Sequence, residues 1–258
     1  MKITVFTGNS RRHLYLLNYL KEQGHEVFSI IEKKKKTNIY KSEIINKYFK
    51  KVEKAEQKIF KKNSVINLKK KITLIQIEYK SLSKIKLSSI SNFLESDLYL
   101  IFGSSLIKNK LLAFLKKKEA LNIHMGISPY YRGTNCNFWS MYDKNYHLVG
   151  ATIHKLSDKI DGGHILHYAK SEYVSDPFIY SMSTVKSAFF SLKNIFNKKK
   201  LKFFKQDINK EIKYSKHIDF TEDAINIFYK NKKQKKNKVF KFEQLSNFYL
   251  LKKNIFYD

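Results

Sequence analysis

In this chain of 258 residues, Asn122 and His124 place a carboxamide and an imidazole two positions apart. They stand in the apolar run "LNIHMG", and on a β-strand their side chains leave the same face about 6–7 Å apart. A carboxamide is costly to bury without hydrogen-bond partners, so neither group is an expected core filler. The pair therefore predicts a polar site in which both groups reach one substrate atom. The alternative is a structural histidine that is satisfied by its neighbours.

Asp161 follows 37 positions after His124, in the sequence "IDGG". An aspartate before two glycines is most often a turn residue, so this position alone does not indicate catalysis. The loop after His124, "MGISPYYRG", contains two of the chain's eight glycines and one of its two prolines. Because glycine frees the backbone and proline restrains it, we interpret this loop as shaped to hold a bound group.

The elements that would position these residues alternate between strand and helix patterns. We predict strands at 2–7, 25–32, 72–79, 97–103 and 120–126, and helices at 14–23, 41–62, 87–96 and 108–118. Such alternation is typical of an α/β protein with a Rossmann-like, mostly parallel sheet flanked by helices.

The pattern changes after residue 126. Here we predict a pair of strands at 149–158 and 163–173, and helices at 136–143, 178–197 and 220–231, the last with Thr221 as its N-cap. We expect a catalytic domain over residues 1–200 and a small C-terminal extension over residues 201–258.

Three predicted strands end in unusual residues: "TGNS" at 7–10, "FGSS" at 102–105 and "NIHMG" at 122–126. In an open parallel sheet, ligands bind at the carboxyl ends of the strands, so we expect a crevice there. Three histidines have no comparable setting and are interpreted as surface or packing residues: His154, His164 and His167.

The stretch "LNIHMGISPYYRG" followed by "IDGG" resembles the formyltransferase domain shared by methionyl-tRNA, glycinamide ribonucleotide and sugar-nucleotide N-formyltransferases. The family pattern is Asn-x-His, a loop with Pro, Arg and Gly, and an Asp in an Asp-Gly-Gly or Asp-x-Gly turn. Residues 95–170 match well and the N-terminal half matches loosely. Ser128 stands where the family commonly has Leu. This difference lies in the loop and does not affect Asn122, His124 or Asp161.

The resemblance implies a one-carbon transferase that uses 10-formyltetrahydrofolate as co-substrate and no metal. It implies Asn122, His124 and Asp161 as catalytic residues. The first two would donate hydrogen bonds to the formyl oxygen while an unprotonated amine attacks the formyl carbon. Asp161 would hold the imidazole, raise its pKa and help to remove the amine's proton. The residues implied to hold the folate are Phe102, Gly103, Ser104, Leu106, Ile107, Ser157, Asp158 and Ile160.

The resemblance also limits the amine acceptor. The methionyl-tRNA enzymes have a C-terminal β-barrel, whereas the residues after 200 lack five clear strands. The glycinamide ribonucleotide enzymes have a Gly/Ser-rich phosphate loop after the first strand, where this chain has "GNSRRHLYL". We therefore expect a nucleotide-linked amino sugar of surface polysaccharide or lipopolysaccharide biosynthesis. The residues expected to bind it are Gly8, Asn9, Ser10, Arg11, His13 and Arg132. For Arg132, a structural salt bridge is an equal alternative.

The net charge of +29 suggests nucleic-acid binding, but only three of the 51 basic residues are arginine. Surfaces that grip phosphate favour arginine for its forked donors, so we interpret the lysines mainly as compositional bias. Methionyl-tRNA formylation and a non-catalytic, RNA-binding basic protein remain the alternatives.

Cys136 is the only cysteine, which excludes an internal disulfide. The sequence "MKITVFTG" lacks the features of a secretory signal, and no apolar run is long enough for a membrane span. We expect a cytoplasmic protein whose partner is a small molecule, with a homodimer left open.

Overall fold

The computed structural model describes residues 1–34, 42–60, 64–198, 200–231 and 248–257. The chain forms two compact units. One comprises Met1–Asn38, Phe60–Ile123 and Lys155–Asp158, and the other comprises Ile39–Ile59, His124–His154 and Lys159–Asp258.

The first unit is built on a parallel β-sheet. Its strands are β1 (Lys2–Thr7), β2 (Glu26–Lys33), β3 (Thr73–Glu78), β4 (Leu98–Phe102) and, except for its last residue, β5 (Leu121–His124), in the order β5-β4-β1-β2-β3. Each neighbouring pair is parallel. The strand order reverses between β1 and β4, which is the point at which open α/β sheets bind ligands.

Helices α1 (Arg11–Glu22), α3 (Val65–Lys69) and α4 (Asn109–Lys117) accompany these strands. The predicted helix at 87–96 is instead a 3₁₀ segment, Leu87–Phe93, in which Ile90 leaves the helical region of φ and ψ. Its serines explain the difference, because a serine hydroxyl competes for nearby backbone groups. The Ser89 hydroxyl donates to the Lys86 carbonyl at 2.7 Å.

The second unit contains strands β7 (Ala151–Lys155) and β8 (Ile165–Ser171), which pair antiparallel, and β10 (Phe248–Leu251), which pairs parallel with β8. A separate two-stranded sheet joins β6 (Tyr131–Gly133) to β9 (Lys213–Ser215) in parallel. The helices of this unit are α2 (Glu43–Ile59), α5 (Cys136–Tyr142), α6 (Pro177–Phe196) and α7 (Glu222–Asn231).

An aromatic cluster forms the core of the second unit. The buried ring of Tyr48 makes edge contacts with Phe138, Phe178, Phe220 and Phe228 at centroid distances of 5.1–5.9 Å. Edge-to-face packing of this kind adds about 0.5–1.5 kcal/mol per pair beyond the buried area. Two of these rings come from beyond residue 200, so the C-terminal residues share this core. The boundary expected after residue 200 stays a prediction.

The mostly parallel sheet flanked by helices is confirmed. Most predicted elements are present, although residues 41, 61 and 62 of the predicted second helix lie outside the described part of the chain. Among the α-helices and β-strands of the described residues, α3, β6, β9 and β10 were not predicted. Each has five residues or fewer, too short for a periodic pattern. Within the described ranges, the chain has no helix with the length and apolar character of a membrane span.

Candidate active site

His124 and Asp161 are brought together in the second unit. The Nδ1 atom of His124, at the end of β5, lies 3.3 Å from Oδ2 of Asp161, and only 6% and 10% of the two side chains are exposed. The other ring nitrogen, Nε2, lies 3.1 Å from the carbonyl oxygen of Tyr131. The loop between His124 and Tyr131 folds back to place that carbonyl, and it contains the glycine and proline noted in the sequence.

The ionisation of this pair is set by burial and by their mutual charge. Burial lowers the pKa of His124 below its usual value, and the Asp161 carboxylate only partly offsets this effect. Burial by itself would raise the pKa of Asp161, but His124, His154 and the Gly133 N–H together bring it down to about 2. Asp161 thus raises the pKa of His124 as expected, but the net shift is downward. Near neutral pH the imidazole is neutral and the carboxylate is ionised.

Asp161 itself is held in an uncommon backbone conformation, with φ of 50°. Such positive values are rare outside glycine and need support from the surrounding structure. Part of that support is a hydrogen bond from the Gly133 N–H to Asp161 Oδ2 at 3.0 Å. The turn therefore aims the carboxylate at the imidazole.

His154 is a member of this cluster that the sequence did not indicate. It was interpreted as a surface or packing residue, yet it is buried on β7 and its Nε2 lies 3.6 Å from Asp161 Oδ1. One carboxylate is therefore shared by two imidazoles. A signal was available, since His154 lies on the strand that leads directly into the turn containing Asp161.

Asn122 lies on β5, two residues before His124, so the two side chains share a strand face. It is half-buried, and its Cα pairs in register with that of Ile101 on β4. The neighbouring strands β5, β4 and β1 run parallel, so the three polar strand ends identified in the sequence are adjacent at one edge of the sheet.

The segment expected to hold the folate follows β4. Gly103 has φ of 63°, Ile107 is buried, and Leu106 is 54% exposed. Buried Glu32 fixes this segment, because its Oε1 accepts from the Ser105 hydroxyl at 2.7 Å and its Oε2 accepts from the Ser105 N–H at 2.5 Å.

The other residues expected to contact folate have varied settings. Phe102 is buried, Ser104 is half-buried, and the exposed Asp158 pairs with Lys116. Ser157 is half-buried, and Ile160 is 39% exposed, with its carbonyl facing Arg132.

The residues expected to bind the acceptor near β1 include His13, which is buried. Its Nδ1 accepts from the Ser10 N–H at 3.1 Å, and its ring packs edge-on against Phe102. Burial, with nearby Arg12 and Lys34, lowers the pKa of His13 well below its usual value. A β-carbon on Gly103 would lie 2.2 Å from His13 Nε2, so the close approach requires glycine there. Gly8 is buried, and Asn9 and Arg11 are half-buried.

Arg132 adopts the structural alternative. Its Nη1 donates to Glu211 Oε2 at 2.8 Å, and its Nε and Nη2 donate to the Ile160 carbonyl at 3.0 and 2.9 Å. The side chain is buried. Its forked donors thus join three segments of the second unit, and its expected role toward the acceptor stays a prediction.

Among the residues with described coordinates, no cluster of His, Cys, Asp or Glu has the arrangement of a metal site. Cys136 is buried, and burial raises the pKa of its thiol well above the usual value. A buried, protonated thiol is a poor nucleophile.

The sequence matches the family model described as formyl transferase over residues 1–184. None of the curated proteins compared with it gives a significant match. Several solved structures share the fold. A sugar N-formyltransferase from a Shewanella species is 15% identical with a TM-score of 0.54, over 98% of this chain and 94% of that one. Glycinamide ribonucleotide transformylase 1 from Symbiobacterium toebii is 13% identical with a TM-score of 0.54, over 80% of this chain and 94% of that one.

Phosphoribosylglycinamide formyltransferase from Bacillus halodurans is 15% identical with a TM-score of 0.52, over 78% of this chain and 97% of that one. At these identities the likeness shows the fold alone, whereas the family model covers more than half of the chain. The chain therefore belongs to the formyl transferase family and is a one-carbon transferase, and the formyl donor used by this family is 10-formyltetrahydrofolate.

Proposed function

We propose that the protein transfers the formyl group of 10-formyltetrahydrofolate to the amine of a nucleotide-linked amino sugar, in the biosynthesis of a surface polysaccharide such as lipopolysaccharide. The catalytic residues in this proposal are Asn122, His124 and Asp161. The observation that carries the assignment of catalysis is the buried contact of 3.3 Å between His124 and Asp161.

The chemistry follows from the donors and acceptors of these groups. The attacking amine forms a bond to the formyl carbon, and the carbon's bond to the folate nitrogen breaks. Negative charge develops on the formyl oxygen, where the Asn122 amide can donate a hydrogen bond. The amine loses a proton, which finally reaches the departing folate nitrogen.

His124 and Asp161 are suited to hold that proton in transit. The Tyr131 carbonyl and the Asp161 carboxylate both accept hydrogen bonds, and both face the same imidazole. A neutral imidazole has one N–H and satisfies one of them, whereas the protonated ring satisfies both. Proton uptake by the pair is therefore stabilised locally, and the resulting positive charge also favours the developing oxyanion.

The extent of fold similarity supports the sugar acceptor. The alignment with the sugar N-formyltransferase spans 98% of this chain, against 80% and 78% for the two glycinamide ribonucleotide enzymes. The segment after β1, "GNSRRHLYL", has one glycine and is unlike a Gly/Ser-rich phosphate loop. A cytoplasmic location is part of this proposal, since a chain with one cysteine cannot form an internal disulfide.

The acceptor can be identified directly. Purified protein is supplied with 10-formyltetrahydrofolate and one acceptor at a time: UDP- or dTDP-linked 3-amino or 4-amino sugars, glycinamide ribonucleotide, or methionyl-tRNA. Mass spectrometry detects the formamide, and absorbance follows release of tetrahydrofolate. We expect formylation of an amino sugar. If only glycinamide ribonucleotide or only methionyl-tRNA is formylated, that molecule is the acceptor and the amino-sugar proposal is wrong. If none of these compounds is formylated, the proposed acceptor is also wrong.

A further inference from the structure

Residues 204–215 support the turn that carries Asp161, directly through Gln206 and indirectly through Arg132 and Gly133. This segment lies outside residues 1–184, the part of the chain that matches the formyl transferase family model. It belongs to the second unit, as Asp161 does. The backbone of Phe204 anchors it, donating to the Ile165 carbonyl at 3.0 Å and accepting from the Ile165 N–H at 2.8 Å.

Gln206 holds the turn through both hydrogens of its carboxamide. Its Nε2 donates to the carbonyl of Asp161 at 2.8 Å and to that of Gly163 at 2.7 Å. Both carbonyls come shortly after the N–Cα bond of Asp161, the bond about which the backbone takes its positive φ. The Oε1 of Gln206 is buried and has no partner among the described residues. The side chain is therefore turned so that its donors face the turn.

Glu211 supports the same turn through Arg132. The guanidinium of Arg132 donates to Glu211 on one side and to the carbonyl of Ile160, the residue before Asp161, on the other. Both side chains are largely buried, with 10% exposed for Arg132 and 28% for Glu211. A charge-assisted pair of this kind is geometrically specific, because the guanidinium is a planar fork.

Strand β9 completes this support. The Ser215 hydroxyl donates to the Thr134 carbonyl at 2.5 Å, with the Arg132 carbonyl 3.3 Å from the same oxygen. The N–H of Thr134 donates to the Ser215 carbonyl at 3.0 Å. A β-carbon on Gly133 would lie 2.1 Å from the Ser215 carbonyl oxygen, so the strands meet at closest backbone approach. The Gly133 N–H is thereby fixed where it donates to the Asp161 carboxylate.

We propose that Gln206 and Glu211 are positioning residues of the active site: they hold Asp161 in its left-handed conformation and so aim its carboxylate at His124. The proposal rests on the catalytic role of Asp161 proposed above. A residue with a positive φ relaxes when its neighbours stop restraining it, and small displacements of a catalytic group cost rate.

The test compares Gln206→Leu and Glu211→Gln with the exposed neighbour variant Lys205→Ala, using the acceptor identified in the panel. Each variant is checked for folding by circular dichroism and thermal unfolding. We expect Gln206→Leu to lower kcat by about 10- to 100-fold with little change in the KM for the folate donor, and Glu211→Gln to act in the same direction. Lys205→Ala should match the unmodified protein.

A double-mutant comparison separates positioning from general structural support. A residue that acts only through the Asp161 carboxylate has no further effect once that carboxylate is removed. We therefore expect Gln206→Leu to reduce kcat in the unmodified protein but not in an Asp161→Asn background. Losses of equal size in both backgrounds would overturn the proposal.

Two further outcomes are distinguishable. If Asp161→Asn lowers kcat while Gln206→Leu and Glu211→Gln do not, the positioning role is wrong and the proposed catalysis stands. If Asp161→Asn leaves kcat unchanged, the catalytic role of Asp161 is wrong, and the positioning role is wrong with it. Should Gln206→Leu fail to fold, Glu211→Gln, which keeps the shape of the side chain, decides the question by the same comparison.

Discussion

The Nδ1 of His124 lies 3.3 Å from Oδ2 of Asp161 in a buried setting where burial has lowered the pKa of the imidazole. The carboxylate and burial thus have opposite effects on the pKa of the imidazole, since the carboxylate favours the charged ring and burial disfavours it. A histidine balanced in this way can take up and release a proton during a reaction.

Replacing the imidazole should abolish most of the catalysis. We expect His124→Ala to lower kcat by about 10²-fold or more, because it removes the proton carrier next to Asp161. Steady-state kinetics with the identified acceptor measures the loss. His164→Ala is the matched control, since His164 is an exposed histidine close in sequence to Asp161. Near-normal turnover in a folded His124→Ala protein would contradict the assignment.

The pH profile should move when the carboxylate is removed. The pKa of His124 is already lowered by burial, and Asp161 raises it, so Asp161→Asn should lower it further. If the neutral ring is the active form, activity rises with pH through the pKa of His124. We therefore expect the acid limb of kcat against pH to shift to lower pH in Asp161→Asn, with a reduced plateau. A shift of the acid limb to higher pH would contradict the conclusion that Asp161 raises the pKa of His124.

Glu32 provides a test of the donor-binding segment. Its buried carboxylate accepts from Ser105, within the segment expected to hold folate, and from the N–H of Lys80 at 2.8 Å. We expect Glu32→Ala to raise the KM for 10-formyltetrahydrofolate about 10-fold, a loss of about 1.4 kcal/mol in binding, with little change in kcat.

The exposed strand residue Glu78 provides the control variant for this test, Glu78→Ala. Initial rates at varied donor concentration separate KM from kcat. An unchanged KM in a folded Glu32→Ala protein would show that the segment does not contact the donor.

His167 should make the protein sensitive to acid. Burial, and to a smaller degree Lys198, lower its pKa to about 4, and neither ring nitrogen has a partner in the described residues. The unfolded chain binds a proton near pH 6.5, so stability is lost as the pH falls from about 6.5 to about 4, by roughly 3 kcal/mol.

We expect His167→Phe to reduce the slope of unfolding free energy against pH in that window, as measured by urea denaturation. The exposed His164 offers a control, His164→Gln, that should keep the original slope. A slope unchanged by His167→Phe would show that the acid sensitivity lies elsewhere.

The five strands of the first unit and the Asn-x-His motif could be predicted from local sequence patterns. Strand and helix patterns are local, because each depends on the spacing of apolar residues within a few turns or pleats. The predicted strands at 2–7 and 25–32 correspond to Lys2–Thr7 and Glu26–Lys33. Asn122 and His124 were recognisable because both stand on one strand, where alternation places them on the same face.

The side chains that meet Asp161 come mostly from distant parts of the chain and could not be predicted from local patterns. The place of His154 on the strand before the turn does not by itself distinguish it from a packing residue. Gln206 lies 45 positions from Asp161, on a segment without a strong pattern. Arg132 could not be assigned from sequence, since its fork suits a ligand phosphate as well as Glu211, which is 79 positions away. Such contacts depend on the path of the chain between the two residues, and the spacing of apolar residues does not encode that path. The proton chemistry of the site depends on those contacts, because burial and neighbouring charges set each pKa.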